Sequence, residues 1–116
     1  MTKRSENLYL RDIVDSIQNI EKYTKNLSSK KFSNDRLVID AVVRNLEIIG
    51  EAAKHVSKAT KSAHPDVPWK EMTGMRNKVI HEYFGVDVDI VWETVENSLP
   101  TLGKSIQKLL KKNIRK

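Results

Sequence analysis

An arginine, an asparagine and a histidine lie close together in one stretch of the chain, at Arg76, Asn77 and His81. The guanidinium group of arginine is a fixed planar cation whose geometry matches a phosphate. The imidazole of histidine titrates near pH ~6.5, so it can accept or give a proton at neutral pH. Together, without a metal ion, these groups suit cleavage of RNA by its own 2′-hydroxyl. The histidine would move the proton, the arginine would stabilise charge on the phosphorane, and the asparagine would position the imidazole or a phosphate oxygen.

A helix through this segment would bring the polar side chains together. Asn77 and His81 are four residues apart and would therefore stack on one helical face, with Arg76 beside them. The apolar residues of the segment would point to the opposite side, towards a core. The pattern therefore predicts a polar cluster on the surface. The alternative is a solvated helix face that carries an incidental histidine.

One such cluster supplies only one of the two proton-transfer groups that in-line cleavage requires. A two-fold dimer that apposes two copies of the cluster would supply the other. The chemistry therefore predicts a homodimer.

The sequence lacks the residues and motifs that most other familiar kinds of catalysis require. It contains no cysteine, no Gly-rich phosphate loop, no Gly-x-Ser-x-Gly and no His-Glu-x-x-His. The other two histidines, His55 and His64, are far from His81 in sequence. We expect a solvated position for the first and a surface turn for the second. No metal ion and no cofactor is predicted.

The apolar residues recur at three- and four-residue steps along most of the chain, which is typical of amphipathic helices. Candidate N-caps precede two of these stretches, at Ser33 to Asp35 and at Asp87 or Asp89. Gly85 is a candidate helix stop, and Pro100 must kink or divide the last helix. The sequence predicts an all-α bundle of four or five up-and-down helices, over about residues 5–27, 35–60, 69–84 and 87 onwards.

The 116 residues suffice for one domain, and 39% hydrophobic with 31% charged residues is a globular composition. No apolar run reaches the ~20 residues of a membrane span, and the N-terminus lacks the apolar core of a signal peptide. We therefore expect a cytoplasmic protein. The first 96 residues carry no net charge, so the whole net charge of +6 lies in the last twenty, all of it in a helix end at about 104–116. These cations either complement the helix dipole or attract phosphate.

The pattern Arg76-Asn77-x3-His81-x-Tyr83 resembles the signature of the HEPN superfamily. Its Arg-x4-His-x-Tyr spacing is similar to that of the HepT branch, the toxin of HepT/MntA toxin–antitoxin pairs. The likeness covers nearly the whole chain and includes the segments 8–13, 40–53, 67–69, 74–77, 81–86 and 91–95.

The resemblance implies a single HEPN-like domain over residues 1–116 and a homodimer. It implies a metal-independent endoribonuclease whose cleft lies at the dimer interface, with Arg76 and His81 from both subunits. Asn77 stands where this branch often has an acidic residue, although the wider superfamily also uses asparagine there. Glu51 and Asn45 lie in the matching part of the second helix and are candidates to support the site. The alternative for Glu51 is a solvated helix charge.

The resemblance also implies a partner, a small MntA-like nucleotidyltransferase antitoxin that attaches AMP to the motif tyrosine. That tyrosine matches Tyr83, which helical periodicity places on the apolar side with its hydroxyl at the rim. Two other functions remain open: a non-catalytic HEPN module that binds nucleotide or RNA and scaffolds a nucleotidyltransferase, and an enzyme-free helical dimer that binds RNA through its basic end. The intact Arg76 and His81 favour the toxin.

Overall fold

The computed structural model describes residues 5–81 and 85–114, with His81 and Ile114 described by their backbone alone. Three long helical segments form its framework: α1 (Glu6–Thr24), α3 (Arg36–Lys54), and a continuous stretch made of α7 (Val88–Glu93), a π-helix (Thr94–Ser98) and α8 (Leu99–Ile114). The short elements between them are α2 (Ser29–Ser33), α4 (Lys58–Ala63), α5 (Trp69–Thr73), α6 (Met75–Val79), β1 (Ile80–His81) and β2 (Gly85–Val86). The predicted all-α class is confirmed, with one small hairpin added. No described helix is both long and apolar enough to cross a membrane.

The helices α1 and α3 pack on each other through the faces that their apolar periodicity predicts, and α8 packs on α1. The completely buried side chains at their centre include Leu10, Ile13, Ile20, Val42, Leu46, Ile49 and Ile106. Burial of each such side chain contributes roughly 1.5–3 kcal/mol relative to its exposed state. These contacts fix α1 and α3 as the rigid support for the surface that they share.

Local polar groups set where α1 and α3 begin and end. Asp35 is the N-cap of α3, as predicted, and accepts a hydrogen bond from the Val38 N–H at 3.1 Å. α1 ends at Thr24 rather than at residue 27, and Asn26 just beyond it adopts a positive φ of 66°. α3 ends at Lys54 rather than near residue 60, because Ser57 caps a new helix, α4, instead of continuing the old one.

A carboxylate in the first turn of α1 holds the start of α4. The Ser57 N–H donates to Glu6 at 2.6 Å, and the Thr60 hydroxyl donates to the same carboxylate at 2.8 Å. Burial opposes ionisation of Glu6, but these hydrogen bonds together outweigh it and lower the pKa of this carboxyl. The contact therefore joins α1 to the segment that follows α3.

The predicted third helix over residues 69–84 is wrong. The chain forms two single helical turns, α5 and α6, that meet at Gly74, and it turns extended at Ile80, whose φ and ψ are −111° and 118°. β1 then pairs antiparallel with β2, with Ile80 opposite Val86 and His81 opposite Gly85. Gly85 is not a helix stop: it opens β2 with a φ of 75°, a conformation that glycine adopts without strain.

The Asp87 N–H donates to the Val79 carbonyl at 2.8 Å and closes this hairpin. Asp87 also caps α7, as predicted, because its side chain accepts from the Ile90 N–H.

Further along, Pro100 is the second residue of α8, directly after the π-helix. Proline lacks the N–H that a regular ladder needs, and a π turn is one way for a helix to absorb that loss. In place of the predicted kink or division at Pro100, the chain has a local widening within one continuous helix.

Gly50 lets α3 approach α5 closely. A Cβ atom at this position would meet the backbone carbonyl oxygens of Met72 and Thr73 at 3.2 and 3.3 Å. Gly103 in α8 is a matched control, because a Cβ there would meet only the Ile17 side chain, at 3.3 Å.

Both Gly→Ala changes reduce the entropy of the unfolded chain similarly. The difference between the two free energies of unfolding therefore reports how readily the atoms next to each new Cβ can move. We expect Gly50→Ala to be less stable than Gly103→Ala by roughly 1–3 kcal/mol in urea denaturation, since a backbone cannot yield as a side chain can. Equal free energies of unfolding for the two variants would contradict this.

Candidate functional site

A broad open groove of about 1070 Å³ lies between α3 and the segment from α4 to α6. It brings together three residues singled out in the sequence: Arg76, Asn77 and Glu51. The other lining residues come from α1, α3, α4 and α5 and from the residues that follow α3 and α5 directly. They are Tyr9, Asp12, Arg44, Glu47, Ile48, Gly50, Ala52, Lys54, His55, Lys61, Trp69, Lys70, Thr73 and Gly74. The groove depends on the close approach of α5 to α3 at Gly50.

α6 places Arg76 and Asn77 on the surface. Its flanking residues Met75 and Val79 are buried and anchor the turn, whereas both polar side chains are exposed. The Arg76 guanidinium donates from Nη1 to Oδ1 of Asn77 at 3.4 Å. The predicted surface exposure of these two residues is confirmed, and the asparagine contacts the arginine itself.

His81 follows on a different element from the one predicted. Its backbone lies in β1 opposite Gly85, so Asn77 and His81 are not an i,i+4 pair on one helix. Arg76 and His81 are joined instead by one helical turn and a change to extended backbone. The His81 side chain and Tyr83, the proposed modification site, lie outside the described residues.

Glu51 belongs to a small cluster that includes a histidine. Its carboxylate lies 3.7 Å from the Lys54 Nζ and 3.9 Å from the His55 Nε2, and all three side chains are at least half exposed. The His55 ring stacks on the Tyr9 ring, with centroids 4.6 Å apart and an interplanar angle of 12°. The predicted solvated position of His55 is confirmed, because its side chain is 51% exposed, but its stack with Tyr9 was not predicted. No spacing links them, because they come from different elements, α1 and the C-terminal cap of α3.

Asn45 does not line the groove. It is buried, with 6% of its surface exposed, and its Nδ2 donates to the Ala41 carbonyl at 2.8 Å. Its Oδ1 accepts from the Asn19 amide at 3.3 Å, which joins α3 to α1. The side chain is therefore placed to hold the two helices together rather than to act in the groove.

The groove lining carries more cations than carboxylates. The cations are Arg44, Lys54, Lys61, Lys70 and Arg76, and the carboxylates are Asp12, Glu47 and Glu51. Among the side chains that the structure describes, no group of three histidines and carboxylates has the geometry to hold a metal ion. A surface of this charge attracts phosphate groups.

The basic C-terminal end lies elsewhere, along α8. Lys104, Lys108, Lys111 and Lys112 are exposed on the side opposite the buried leucines of that helix, and none of them lines the groove. Arg115 and Lys116 lie outside the described residues.

The bundle of helices presents an arginine and an asparagine in a basic groove, and the backbone of a histidine follows in a short hairpin. This arrangement fits the HEPN-like domain that the motif resemblance implies. The chain belongs to the HepT-like ribonuclease family, because the family model "Ribonuclease HepT-like" matches residues 13–109. This confirms the family resemblance that the motif spacing indicated.

Curated relatives agree with this membership along almost their full length. A protein of Thermococcus cleftensis named "Probable ribonuclease HepT" is 46% identical over 94% of this chain and 99% of its own. One from Methanocaldococcus jannaschii named "Putative RNase MJ1216" is 42% identical over 96% of this chain and 92% of its own. One from Caldanaerobacter subterraneus named "Putative RNase TTE0752" is 43% identical over 90% of this chain and 93% of its own. No solved structure matches the chain significantly.

Proposed function

We propose that this protein is a metal-independent endoribonuclease and the toxin of a toxin–antitoxin pair. The observation that carries the proposal is the exposure of Arg76 and Asn77 in a cation-rich groove, in a chain of the HepT-like ribonuclease family. The catalytic residues are Arg76, Asn77 and His81, and the substrate is RNA. Glu51 lies in the same groove and supports the site through its contacts with Lys54 and His55.

The proposed reaction is attack of a ribose 2′-oxygen on the adjacent phosphorus, with loss of the 5′-oxygen of the next nucleotide. The products are a 2′,3′-cyclic phosphate and a 5′-hydroxyl. One His81 imidazole accepts the proton of the 2′-hydroxyl, and the His81 of a second subunit gives a proton to the leaving oxygen. Arg76 stabilises the charge on the phosphorane, and Asn77 holds the guanidinium in place.

Cleavage of RNA in the presence of EDTA tests this proposal. We expect the rate to be unchanged by the chelator, because the nucleophile is the substrate's own hydroxyl and the charges are supplied by side chains. A DNA strand of the same sequence should resist, since it lacks the 2′-hydroxyl. Gel analysis with phosphatase treatment of the products would identify the 2′,3′-cyclic or 3′-phosphate ends. A magnesium requirement, or DNA cleavage, would remove this mechanism.

We further propose that the active form is a two-fold homodimer with the cleft at the subunit interface. A stable interface of this kind buries on the order of 1,200–2,000 Å² in total. Light scattering at micromolar concentration should report a species of twice the 13.4 kDa chain mass. A lone monomer that cleaves RNA at full rate would contradict the composite site.

The proposed partner is a small nucleotidyltransferase encoded beside this chain, which silences it by attaching AMP to Tyr83. This part of the proposal rests on the match of Tyr83 to the motif tyrosine. A neighbouring reading frame for such an enzyme is the simplest supporting observation.

A further inference from the structure

We propose that Tyr9 and His55 form a base-stacking subsite, on which a nucleobase of the RNA strand that occupies the groove lies against the outer face of the His55 ring. The inference rests on the proposed ribonuclease function and adds a substrate-binding role for two residues that the motif does not include. Both residues line the groove that contains Arg76.

The ring geometry is that of a stack. The two ring planes are within 12° of parallel and their centroids are 4.6 Å apart, so Tyr9 covers one face of the imidazole. The His55 side chain nevertheless remains 51% exposed. Since one face is covered, the exposed surface lies on the rest of the side chain, which includes the opposite ring face and the ring edge. A nucleobase would therefore add a third layer to a stack that is already two rings deep.

The platform is held by the fold. Tyr9 lies on α1, whose core face is fixed against α3, and His55 is the C-terminal cap of α3. The His55 N–H donates to the Ala52 carbonyl at 3.0 Å, and the contacts of Glu6 with Ser57 and Thr60 tie α1 to the chain just beyond the cap. A platform built on two packed helices loses little conformational freedom when a base binds.

The charges around the stack fit a nucleic-acid strand. Lys54 and Lys61 line the same groove, and Arg76 lies on another part of its wall. Aromatic rings interleaved with cations are the usual way in which proteins bind single-stranded nucleic acid, because every base has a face to stack and every linkage has a charge. A strand with its reacting phosphate at Arg76 would thus find cations along its backbone and a ring surface for a flanking base.

The carboxylate of Glu51 is a second neighbour of the imidazole, at the edge of the ring. It lies 3.9 Å from the Nε2 edge of His55, which leaves the ring face to the base. A histidine used for proton transfer needs an edge nitrogen, whereas a stacking histidine needs only its face. Phenylalanine at position 55 therefore separates the two roles, because it keeps the face and has no nitrogen.

The test uses the full chain carrying His81→Ala, which prevents cleavage, and a single-stranded oligoribonucleotide that contains 2-aminopurine. In this background we expect His55→Ala to weaken binding by about 5- to 150-fold, the range for loss of one stacked base. His55→Phe should bind within a few-fold of the parent and keep the quenching of 2-aminopurine fluorescence. The matched control is His64→Ala, a histidine outside the groove lining, which should bind as the parent does.

A parallel cleavage assay with His81 intact separates failure of this inference from failure of the proposed function. The subsite alone would be overturned if the protein with His81 intact cleaves RNA, but His55→Ala changes neither the affinity nor the 2-aminopurine quenching of the His81→Ala protein. A His55→Phe variant that binds normally but no longer cleaves would show proton transfer instead of stacking. A parent that neither binds nor cleaves RNA would overturn both proposals. Thermal unfolding of each variant measures whether it is folded. If His55→Ala does not fold, His55→Phe keeps the test decisive.

Discussion

His81→Ala is expected to slow RNA cleavage by about 10²–10⁴-fold, the usual cost of losing a general acid or base. In the proposed dimer the substitution removes both proton-transfer groups at once, so the upper part of this range applies. The fold should survive, because the hydrogen bonds of β1 with β2 are made by backbone groups. Cleavage of a labelled RNA by purified wild type and variant, with unfolding followed by circular dichroism, measures both effects.

The other two histidines provide the matched controls for that experiment. His64→Ala makes the same chemical change at a residue that does not line the groove, so its cleavage rate should equal that of the wild type. His55→Ala should raise KM more than it lowers kcat, because it is proposed to bind a base rather than to move a proton. Equal cleavage by wild type and His81→Ala would show that the catalytic assignment is wrong.

The parts of the fold that could be predicted from the sequence are those set by local chemistry. The apolar residues of α1 and α3 recur over five turns, so their buried faces follow from helical geometry alone. The caps Asp35 and Asp87 were also predictable, because a side-chain carboxylate needs only its own helix to accept an N–H. The exposure of Arg76 and Asn77 follows from the same periodicity within one turn.

The region around His81 could not be predicted in this way. Over a single turn, an apolar spacing of four residues fits a helix and is also met by a turn followed by a strand. Val79 and Ile80 are β-branched, which favours extended backbone, but this weak preference is decided by the Asp87 N–H that reaches back to the Val79 carbonyl. The stack of Tyr9 on His55 is likewise tertiary, since it exists only because α1 packs on α3.

Tyr83→Phe is expected to leave RNA cleavage unchanged and to abolish silencing by the proposed nucleotidyltransferase antitoxin. The substitution removes the hydroxyl oxygen that would accept AMP, but it keeps the ring. AMP at this position adds bulk and negative charge two residues after His81 in the chain. Its phosphate would pair with Arg76 in place of the RNA backbone and would repel incoming RNA from the groove. Cells that co-express the wild-type toxin with the antitoxin should therefore grow. Cells that co-express the Tyr83→Phe toxin with the antitoxin should stop growing.

Tyr23→Phe is the matched control, because Tyr23 lies on α1 with 41% of its surface exposed and is not among the groove residues. It should remain silenced by the antitoxin, and mass spectrometry of the co-expressed protein should find AMP on Tyr83 alone. An adduct on Tyr9 or Tyr23 with none on Tyr83, or full silencing of Tyr83→Phe, would show the assignment to be wrong. An adduct on Tyr9 would also place AMP on the proposed base-stacking platform, and so would explain silencing by direct occupation of the groove.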